Sequence, residues 1–268
     1  MKIWKPFRKK IRFTVSILFV FCFLFSAFPG EGTILSKLPT PSNSHKKEVA
    51  LTIDDGPHPG YTERILSLLA EHEVKASFFL VGKMAATYPY LVRKIAAQGH
   101  TIANHSHYHN NLVKLPLDNM PFEWIMCSST LYSILGTYPR FCRPPGGNYN
   151  QQVVNAAAKE GLRMVLWTAN AGDCTGISAK VIEQKVVNRT QPGGIILIHD
   201  GVEATIEALP EIIKGLKKKG FTFVTLDQAF PAANIDQPVK ASSRTTPSDP
   251  QKAPFPPAKD AKPSCPTQ

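Results

Sequence analysis

Two adjacent carboxylates, Asp54 and Asp55, follow an apolar run in the segment LTIDDGPHPG. Carboxylates are rarely buried without partners, so a strand that ends in two of them indicates a functional site. A second segment, HSHYH, places His105, His107 and His109 close together along the chain. Neutral imidazole is the commonest metal ligand in proteins, so this spacing indicates a metal site.

The three histidines can be arranged in two ways. On a helical turn, His105 and His109 would share one face and His107 would point away. On an extended strand, all three would lie on one face. We favour the His105–His109 pair, because the preceding strand is expected to end before it. With Asp55 at a neighbouring strand end, the pair would form a catalytic site that suits zinc and tolerates cobalt, manganese or nickel.

Other polar residues at predicted strand ends supply the remaining parts of a hydrolytic site. A metal lowers the pKa of water, and Asp54 could take the proton that is released. Arg143 offers a fixed fork to hold Asp54, and the N–H of Gly146 in the PPGG turn could contribute to an oxyanion hole. His199 is placed to act as a general acid, while Asp173 could orient it or pair with Arg143.

Alternating strand-like and helix-like segments must position these residues. The apolar, β-rich runs are VALTI, ASFFLVG, HTIAN, RFCRP, RMVLWT, GIILIHD and FTFVTL. Amphipathic stretches lie between most of them, and several end in glycine, as helices often do. The pattern predicts an α/β fold, a distorted (β/α) barrel with about seven parallel strands, and leaves an open doubly wound sheet as the alternative. In both folds the functional residues lie at the carboxyl ends of the strands.

The N-terminal residues differ from the core in composition. Positions 1–12 carry six basic residues and no acidic one, and an uncharged apolar run follows. This order is typical of a signal peptide or of an uncleaved membrane anchor, here within residues 1–29. We therefore expect the rest of the chain to be secreted, or tethered to the outer side of the cytoplasmic membrane or to the cell wall.

The rest of the chain divides into three segments. Residues 30–47 are polar and irregular, which predicts a spacer, and residues 48–231 are expected to form the catalytic domain. Residues 232–268 are Pro-rich and cannot bury enough apolar surface to fold, so we expect a disordered tail. The segment 48–231 has 17 basic and 16 acidic residues, and this balance argues against a nucleic-acid partner.

The motifs together resemble those of the polysaccharide deacetylases, the carbohydrate esterase family 4 group that includes chitin and peptidoglycan deacetylases. TIDDGP is similar to the first motif of this family, HSHYH to its H-[ST]-x-x-H motif, RPPGG to its third and ILIHD to its fifth. The resemblance covers about residues 48–231 and implies a distorted (β/α) barrel. It also implies a metal-dependent hydrolysis that releases acetate from an N-acetylated glycan. For an exported protein we expect peptidoglycan as the polymer, ahead of chitin-like oligomers.

The resemblance also assigns roles to individual residues. It makes Asp54 the general base and His199 the general acid, and it places Leu197 in the wall of an acetyl-binding pocket. Asp173 is expected to tune the Arg143 pair and His199. The metal ligands that it implies are Asp55, His105 and His109.

Two motifs depart from the family pattern. The third has Gly146 where a Tyr is usual, which keeps the backbone N–H but loses a ring. The fourth is usually D-x-x-D-W; here NAGDC keeps Asp173 but has Asn170 and Cys174 at the other places. The missing Trp is expected to open one wall of the pocket. The alternatives are therefore an O-acetyl esterase on acetylated glycans and a non-catalytic glycan-binding relative.

The cysteines lead to one further hypothesis. Cys142 precedes Arg143, and Cys174 follows Asp173. Because the loops that carry them are expected to converge, we hypothesise a Cys142–Cys174 disulfide, which an exported protein permits. Cys127 lies in a predicted amphipathic helix and is expected to be a buried thiol.

Overall fold

The computed structural model describes residues 32–39 and 46–232, together with Met1. The predicted signal or anchor and nearly all of the predicted tail therefore lie outside the described residues, and they stay predictions. Within the described part of the chain, no helix combines the length and the apolar character that crossing a membrane requires.

Nine strands of the described residues form one sheet, and every strand pairing is parallel. They are β1 (Ile34–Leu35), β2 (Lys47–Asp54), β3 (Ser77–Leu80), β4 (Thr101–Asn104), β5 (Phe141–Cys142), β6 (Arg163–Val165), β7 (Ala169–Asn170), β8 (Gly194–His199) and β9 (Phe221–Phe223). Their order is β1-β6-β5-β4-β3-β2-β8-β7, and β9 pairs with the start of β2. The predicted distorted (β/α) barrel is confirmed, and all seven predicted strands are present.

Helices separate most of the strands along the chain. They are α1 (Tyr61–Glu71), α2 (Gly82–Thr87), α3 (Pro89–Ala97), α4 (Met120–Leu135), α5 (Gln151–Lys159), α6 (Ala179–Arg189), α7 (Glu203–Lys218) and α8 (Leu226–Ala229). Their apolar residues recur at helical spacing, as in α7, where Ile206, Leu209 and Ile213 are buried. Packing against the sheet therefore buries one face of each such helix.

The central strands are β2 and β8, and their register positions the site. All six residues of β8 are buried, as are the last six of β2, because a parallel sheet is covered on both faces. The two strands pair from Val49 opposite Gly194 to Asp54 opposite His199. The pairing therefore brings the last residue of each strand to the same edge of the sheet.

The predicted spacer is wrong for residues 34–38. Strand β1 pairs with Met164 and Val165 of β6 and so extends the sheet. Leu38 is buried with residues of the core, including Phe79. A few apolar side chains in a polar context are enough to add a short edge strand, so the folded unit begins before residue 48.

Candidate active site

A cleft of about 400 Å³ opens at the carboxyl ends of the strands. The residues in its wall include Asp54, Asp55, His105, His109, Gly146, Trp167, Asn170, Asp173, Cys174, Leu197 and His199. Arg143 lies beneath the wall and reaches Asp54. The structure therefore gathers all the predicted catalytic, metal-binding and substrate-binding residues at one place.

Asp55, His105 and His109 form a compact set of metal-ligating groups. Oδ1 of Asp55 lies 3.0 Å from Nε2 of His109 and 3.3 Å from Nε2 of His105. The other carboxylate oxygen of Asp55, Oδ2, is buried and has no hydrogen-bond partner. Nδ1 of His105 donates to the carbonyl of Arg143 at 2.8 Å, so Nε2, which faces Asp55, is the ring nitrogen that would bind a cation after losing its proton. These groups fit a divalent cation.

Asp55 is held in its ionised form even without a cation. Burial by itself would raise the pKa of its carboxyl group. The hydrogen bonds and charges of His105 and His109 outweigh this effect and hold the pKa well below its usual range. A carboxylate that stays ionised is what a metal ligand requires.

The HSHYH segment forms a turn that is not helical. Ser106 and His109 adopt positive φ angles of 64° and 59°, and Oγ of Ser106 accepts the N–H of His109 at 3.0 Å. The turn brings the rings of His105 and His109 to a centroid distance of 5.0 Å. Nδ1 of His107 instead lies against Gly82, where an added Cβ would be 2.4 Å away. The structure therefore places the predicted pair, His105 and His109, side by side with Asp55, but on a turn that is not helical.

Glu123 on α4 supports this turn from behind, and the sequence analysis missed it. Its buried carboxylate accepts the N–H groups of His107 and Tyr108, each at 2.8 Å, and Nδ2 of Asn110 at 2.7 Å. Glu123 is also the one charged residue in the α4 sequence, MPFEWIMCSSTLYSIL. A lone acid in an otherwise uncharged, buried helix is the signal that could have revealed it.

Arg143 and Asp54 form a fully buried ion pair. Nη1 of Arg143 donates to Oδ1 of Asp54 at 2.6 Å and to Oγ1 of Thr52 at 2.9 Å, while Nε donates to the carbonyl of Val165 at 3.0 Å. The guanidinium carbon lies 4.0 Å from the ring centroid of Phe79. Burial lowers the pKa of Arg143, and the charge of Asp54 opposes this. The predicted partner of Asp54 is therefore confirmed.

His199 and Asp173 form a second buried pair in the same cleft. Nδ1 of His199 lies 2.8 Å from Oδ1 of Asp173, while the N–H of His199 and Oγ1 of Thr205 both donate to Oδ2. Burial would lower the pKa of His199, but the hydrogen bond and charge of Asp173 outweigh it and raise the pKa to about 9. Of the two partners predicted for Asp173, the structure selects His199 over Arg143.

Residues on both sides of β7 line the cleft. Cys174 lines the cleft, as does Asn170, whose Oδ1 accepts the N–H of Gly172 at 2.8 Å. Trp167, which the sequence analysis did not single out, also lines the cleft. Its indole packs against Gly147, where an added Cβ would lie 2.5 Å from the ring. The cleft therefore has an aromatic side chain just before β7, beside the turn that contains Gly147.

The predicted Cys142–Cys174 disulfide is wrong. Cys142 is a free, buried thiol that packs with Val153 and Met164. Successive residues of a strand point to opposite faces, so Cys142 turns away from the cleft toward which Arg143 points. Cys174 is disulfide-bonded, but not to Cys142 or Cys127, which are both free. Cys127 is a buried thiol, as predicted.

The turn after β2 has a second support that the sequence analysis missed. Asp200 is buried, and its Oδ2 accepts the hydroxyl of Thr62 at 2.5 Å. A Cβ on Gly56 would lie 2.5 Å from this same oxygen, so the turn that follows Asp55 accepts only glycine there. Burial raises the pKa of Asp200 to about 7. The sequence signal for Asp200 was its position directly after His199 in the ILIHD motif.

Comparison with known proteins agrees with this site. The family model described as "Polysaccharide deacetylase" matches residues 42–165. A peptidoglycan-N-acetylglucosamine deacetylase of Bacillus cereus is 38% identical over 190 residues, which is 69% of each chain. A crystal structure of a peptidoglycan N-acetylglucosamine deacetylase in complex with an N-hydroxybenzamide compound superposes with a TM-score of 0.70. It is 36% identical, and the match covers 74% of this chain and 93% of that one.

A second solved structure limits what the fold can show by itself. A protein of Bacillus anthracis named a CE4 family pseudoenzyme matches with a TM-score of 0.69 at 27% identity, covering 74% of this chain and 69% of that one. Since a protein named as a pseudoenzyme has the same fold, the fold alone does not establish catalysis. The argument for activity rests on the residues of the cleft.

Proposed function

Since this chain belongs to the polysaccharide deacetylase family and is a metal-dependent N-deacetylase of glycans, we propose that its polymer is peptidoglycan. The observation that carries the catalytic assignment is the presence of two buried acid–cation pairs beside one His-His-Asp set in a single cleft. The peptidoglycan assignment is supported by the similarity to the B. cereus relative, which is a peptidoglycan-N-acetylglucosamine deacetylase.

Asp55, His105 and His109 would hold the cation in this proposal. We propose zinc, because two imidazoles and one carboxylate are a common catalytic zinc set. When bound, the cation would supply Lewis-acid chemistry by polarising the acetamide carbonyl and by lowering the pKa of water. The hydrogen bond from His105 to the Arg143 carbonyl would fix the imidazole orientation that such binding needs.

The two buried pairs would carry the proton transfers. Asp54 would accept a proton from the attacking water as its oxygen forms a bond to the acetyl carbon, with Arg143 fixing the carboxylate. The N–H of Gly146 would donate to the developing oxyanion. His199 would then give its proton to the departing nitrogen as the C–N bond breaks, and acetate and a free amine would result. Leu197 would line the space for the acetyl methyl group.

We further propose that the chain acts outside the cytoplasm. The support is the basic start and apolar run of residues 1–29 in the sequence. Protease added to intact cells that express the chain should digest it, whereas a cytoplasmic marker protein should survive. Full protection of both proteins would contradict the external location.

Acetate release by the full chain tests the catalytic proposal. The substrates are N-acetylglucosamine oligomers, intact peptidoglycan and an O-acetylated glycan, each with the metal removed and restored. Asp54→Asn should lower kcat/KM by about 10²–10⁴-fold, because it removes the general base but none of the metal ligands. Asp118→Asn, an exposed change outside the cleft, is the matched control.

The outcomes separate the possible readings of the cleft. Zinc-dependent release from peptidoglycan that Asp54→Asn suppresses supports the proposal. Release from the O-acetylated glycan alone indicates an esterase. No release from any substrate by a chain that binds zinc indicates a non-catalytic relative, and restoration by manganese but not by zinc would overturn the choice of metal.

A further inference from the structure

A second cavity, of about 310 Å³, lies at the other end of the strands. His100 and Arg140 line it, and they directly precede β4 and β5, so the cavity faces the amino ends of those strands. The catalytic cleft lies at the carboxyl ends, and the two cavities share no lining residue. The second cavity therefore needs a separate explanation.

Two polar side chains of this cavity have buried donors without partners. Nδ1 of His100 accepts the N–H of Ala76 at 3.0 Å, so Nε2 carries the ring proton, and it has no hydrogen-bond partner. Burial lowers the pKa of His100 to about 4, so the ring stays neutral. Nη1 of Arg140 is likewise buried and unsatisfied. Neither atom has accessible surface in this structure, so a ligand oxygen reaches them only after a shift of the two side chains, and the cost of leaving buried donors unpaired favours that shift.

The charge of Arg140 is already balanced within the protein. Its Nε and Nη2 both donate to the carboxylate of Asp227, which also lines the cavity. The cavity therefore has hydrogen-bond donors and an acceptor, and the positive charge of Arg140 is already neutralised by Asp227. This combination suits the hydroxyl groups of a neutral ligand better than a phosphate or a carboxylate.

The rest of the cavity is apolar and aromatic. Ile102, Leu131 and Leu135 line it, and so does Tyr138. The ring of Tyr138 stacks on that of Tyr132 at a centroid distance of 4.3 Å, and the two residues are 41% and 45% exposed. An exposed aromatic pair beside hydrogen-bonding groups suits a ring that has an apolar face and polar edges.

We propose that this cavity is a second glycan-binding site, which takes one uncharged pyranose ring of a polysaccharide chain. The aromatic pair contacts the C–H face of the sugar, and the side chains of His100 and Arg140 shift on binding to bring their unpaired donors to its oxygens. Because this site lies at the opposite end of the β-strands, it can bind one part of a polysaccharide while the catalytic cleft deacetylates another part. The proposal does not depend on which polymer the cleft deacetylates.

Two independent pairs of variants test this site in the full chain. Ala96→Phe fills the cavity from α3, whereas Ala97→Phe alters the neighbouring, exposed residue, which does not line it. The double variant Tyr132→Ala/Tyr138→Ala removes the stacked rings, whereas Tyr90→Ala removes a tyrosine on α3 that is 50% exposed. Circular dichroism checks that each variant is folded.

The readouts are cosedimentation with insoluble chitin and acetate release from a soluble N-acetylglucosamine tetramer. We expect Ala96→Phe and the double variant each to weaken chitin binding about fivefold or more, since truncating an aromatic contact typically has this effect. The rate on the tetramer should be unchanged in all four variants, because the cleft is intact. Chitin binding that neither cavity variant weakens, or that the controls weaken equally, would overturn the site. Absence of acetate release would instead concern the catalytic proposal.

Discussion

The two buried acid–cation pairs of the cleft share a design but differ in the cation. Asp54 is paired with Arg143, and Asp173 with His199. An arginine keeps its charge at any working pH, so the first pair holds a carboxylate that is ready to accept a proton. A histidine titrates, so the second pair holds a proton that can be given away. The same ionic contact thus prepares a base on one side and an acid on the other.

The difference between the pairs also appears in their surroundings. Arg143 is fixed by the Val165 carbonyl, by Thr52 and by the ring of Phe79, all deep in the sheet. The imidazole of His199 is held by Asp173, which accepts from one ring nitrogen and also from the backbone N–H of His199. In the first pair the side chain with the most contacts is the cation, Arg143. In the second pair it is the carboxylate of Asp173, which also accepts a hydrogen bond from Thr205.

The largest effect should follow removal of Arg143. Arg143→Ala leaves the Asp54 carboxylate buried without its partner, and we expect the free energy of unfolding to fall by about 3–5 kcal/mol, with loss of activity. Urea denaturation measures the loss. Arg64→Ala breaks the exposed pair with Glu203 and should leave the free energy of unfolding almost unchanged, because solvent screens such a pair. Equal effects of the two changes would show that burial of the first pair does not matter.

Asp173→Asn should have the next largest effect, and it depends on pH. The pKa of His199 is raised to about 9, so the acid is protonated below that pH, and activity should fall as pH rises through it. Removing the Asp173 charge lowers this pKa, so the basic limb of the rate profile should move to lower pH. The rate should drop by about tenfold or more where the acid has lost its proton.

A profile of kcat/KM between pH 5 and 10 measures this shift. Thr205→Val is the matched control, because it removes one hydrogen bond to Asp173 and keeps the charge. It should move the basic limb in the same direction, but less. A limb that stays in place in Asp173→Asn would mean that another group is the acid.

The smallest of these effects should come from Glu123→Gln, which changes neither pair. Gln keeps the size of the side chain but loses the charge that accepts two backbone N–H groups in the HSHYH turn. We expect zinc affinity to fall about 10-fold, because groups that orient metal ligands typically have effects of that size. Competition with a chromogenic chelator measures it, with the exposed Glu71→Gln as the control. Unchanged affinity would leave Glu123 a purely structural residue.

The sequence analysis predicted the site better than the details of the fold around it. Strand ends could be read from apolar runs that stop at Asp54 or His199, and parallel strands bring such ends together. Strand β1 was missed because two residues at an edge carry no pattern of their own. Glu123 and Trp167 were missed because their roles depend on which elements pack together, and local spacing does not encode that.

The disulfide prediction failed for a related reason. Cys142 and Cys174 flank two residues that do meet in space, since Arg143 and Asp173 belong to the same cleft. Neighbouring residues on a strand point to opposite faces, however. A cysteine that is next to a site residue in the sequence can therefore point away from the site. Side-chain direction was the missing information.

The register of β2 against β8 has a consequence for how this scaffold can be redesigned. Asp54 lies directly opposite His199, and the N–H of Asp200 donates to the carbonyl of Asp54 at 2.9 Å, which closes the ladder. The spacing of base and acid is therefore set by main-chain pairing within the sheet. The loops around the cleft can be exchanged or lengthened to suit other polymers while that spacing is retained.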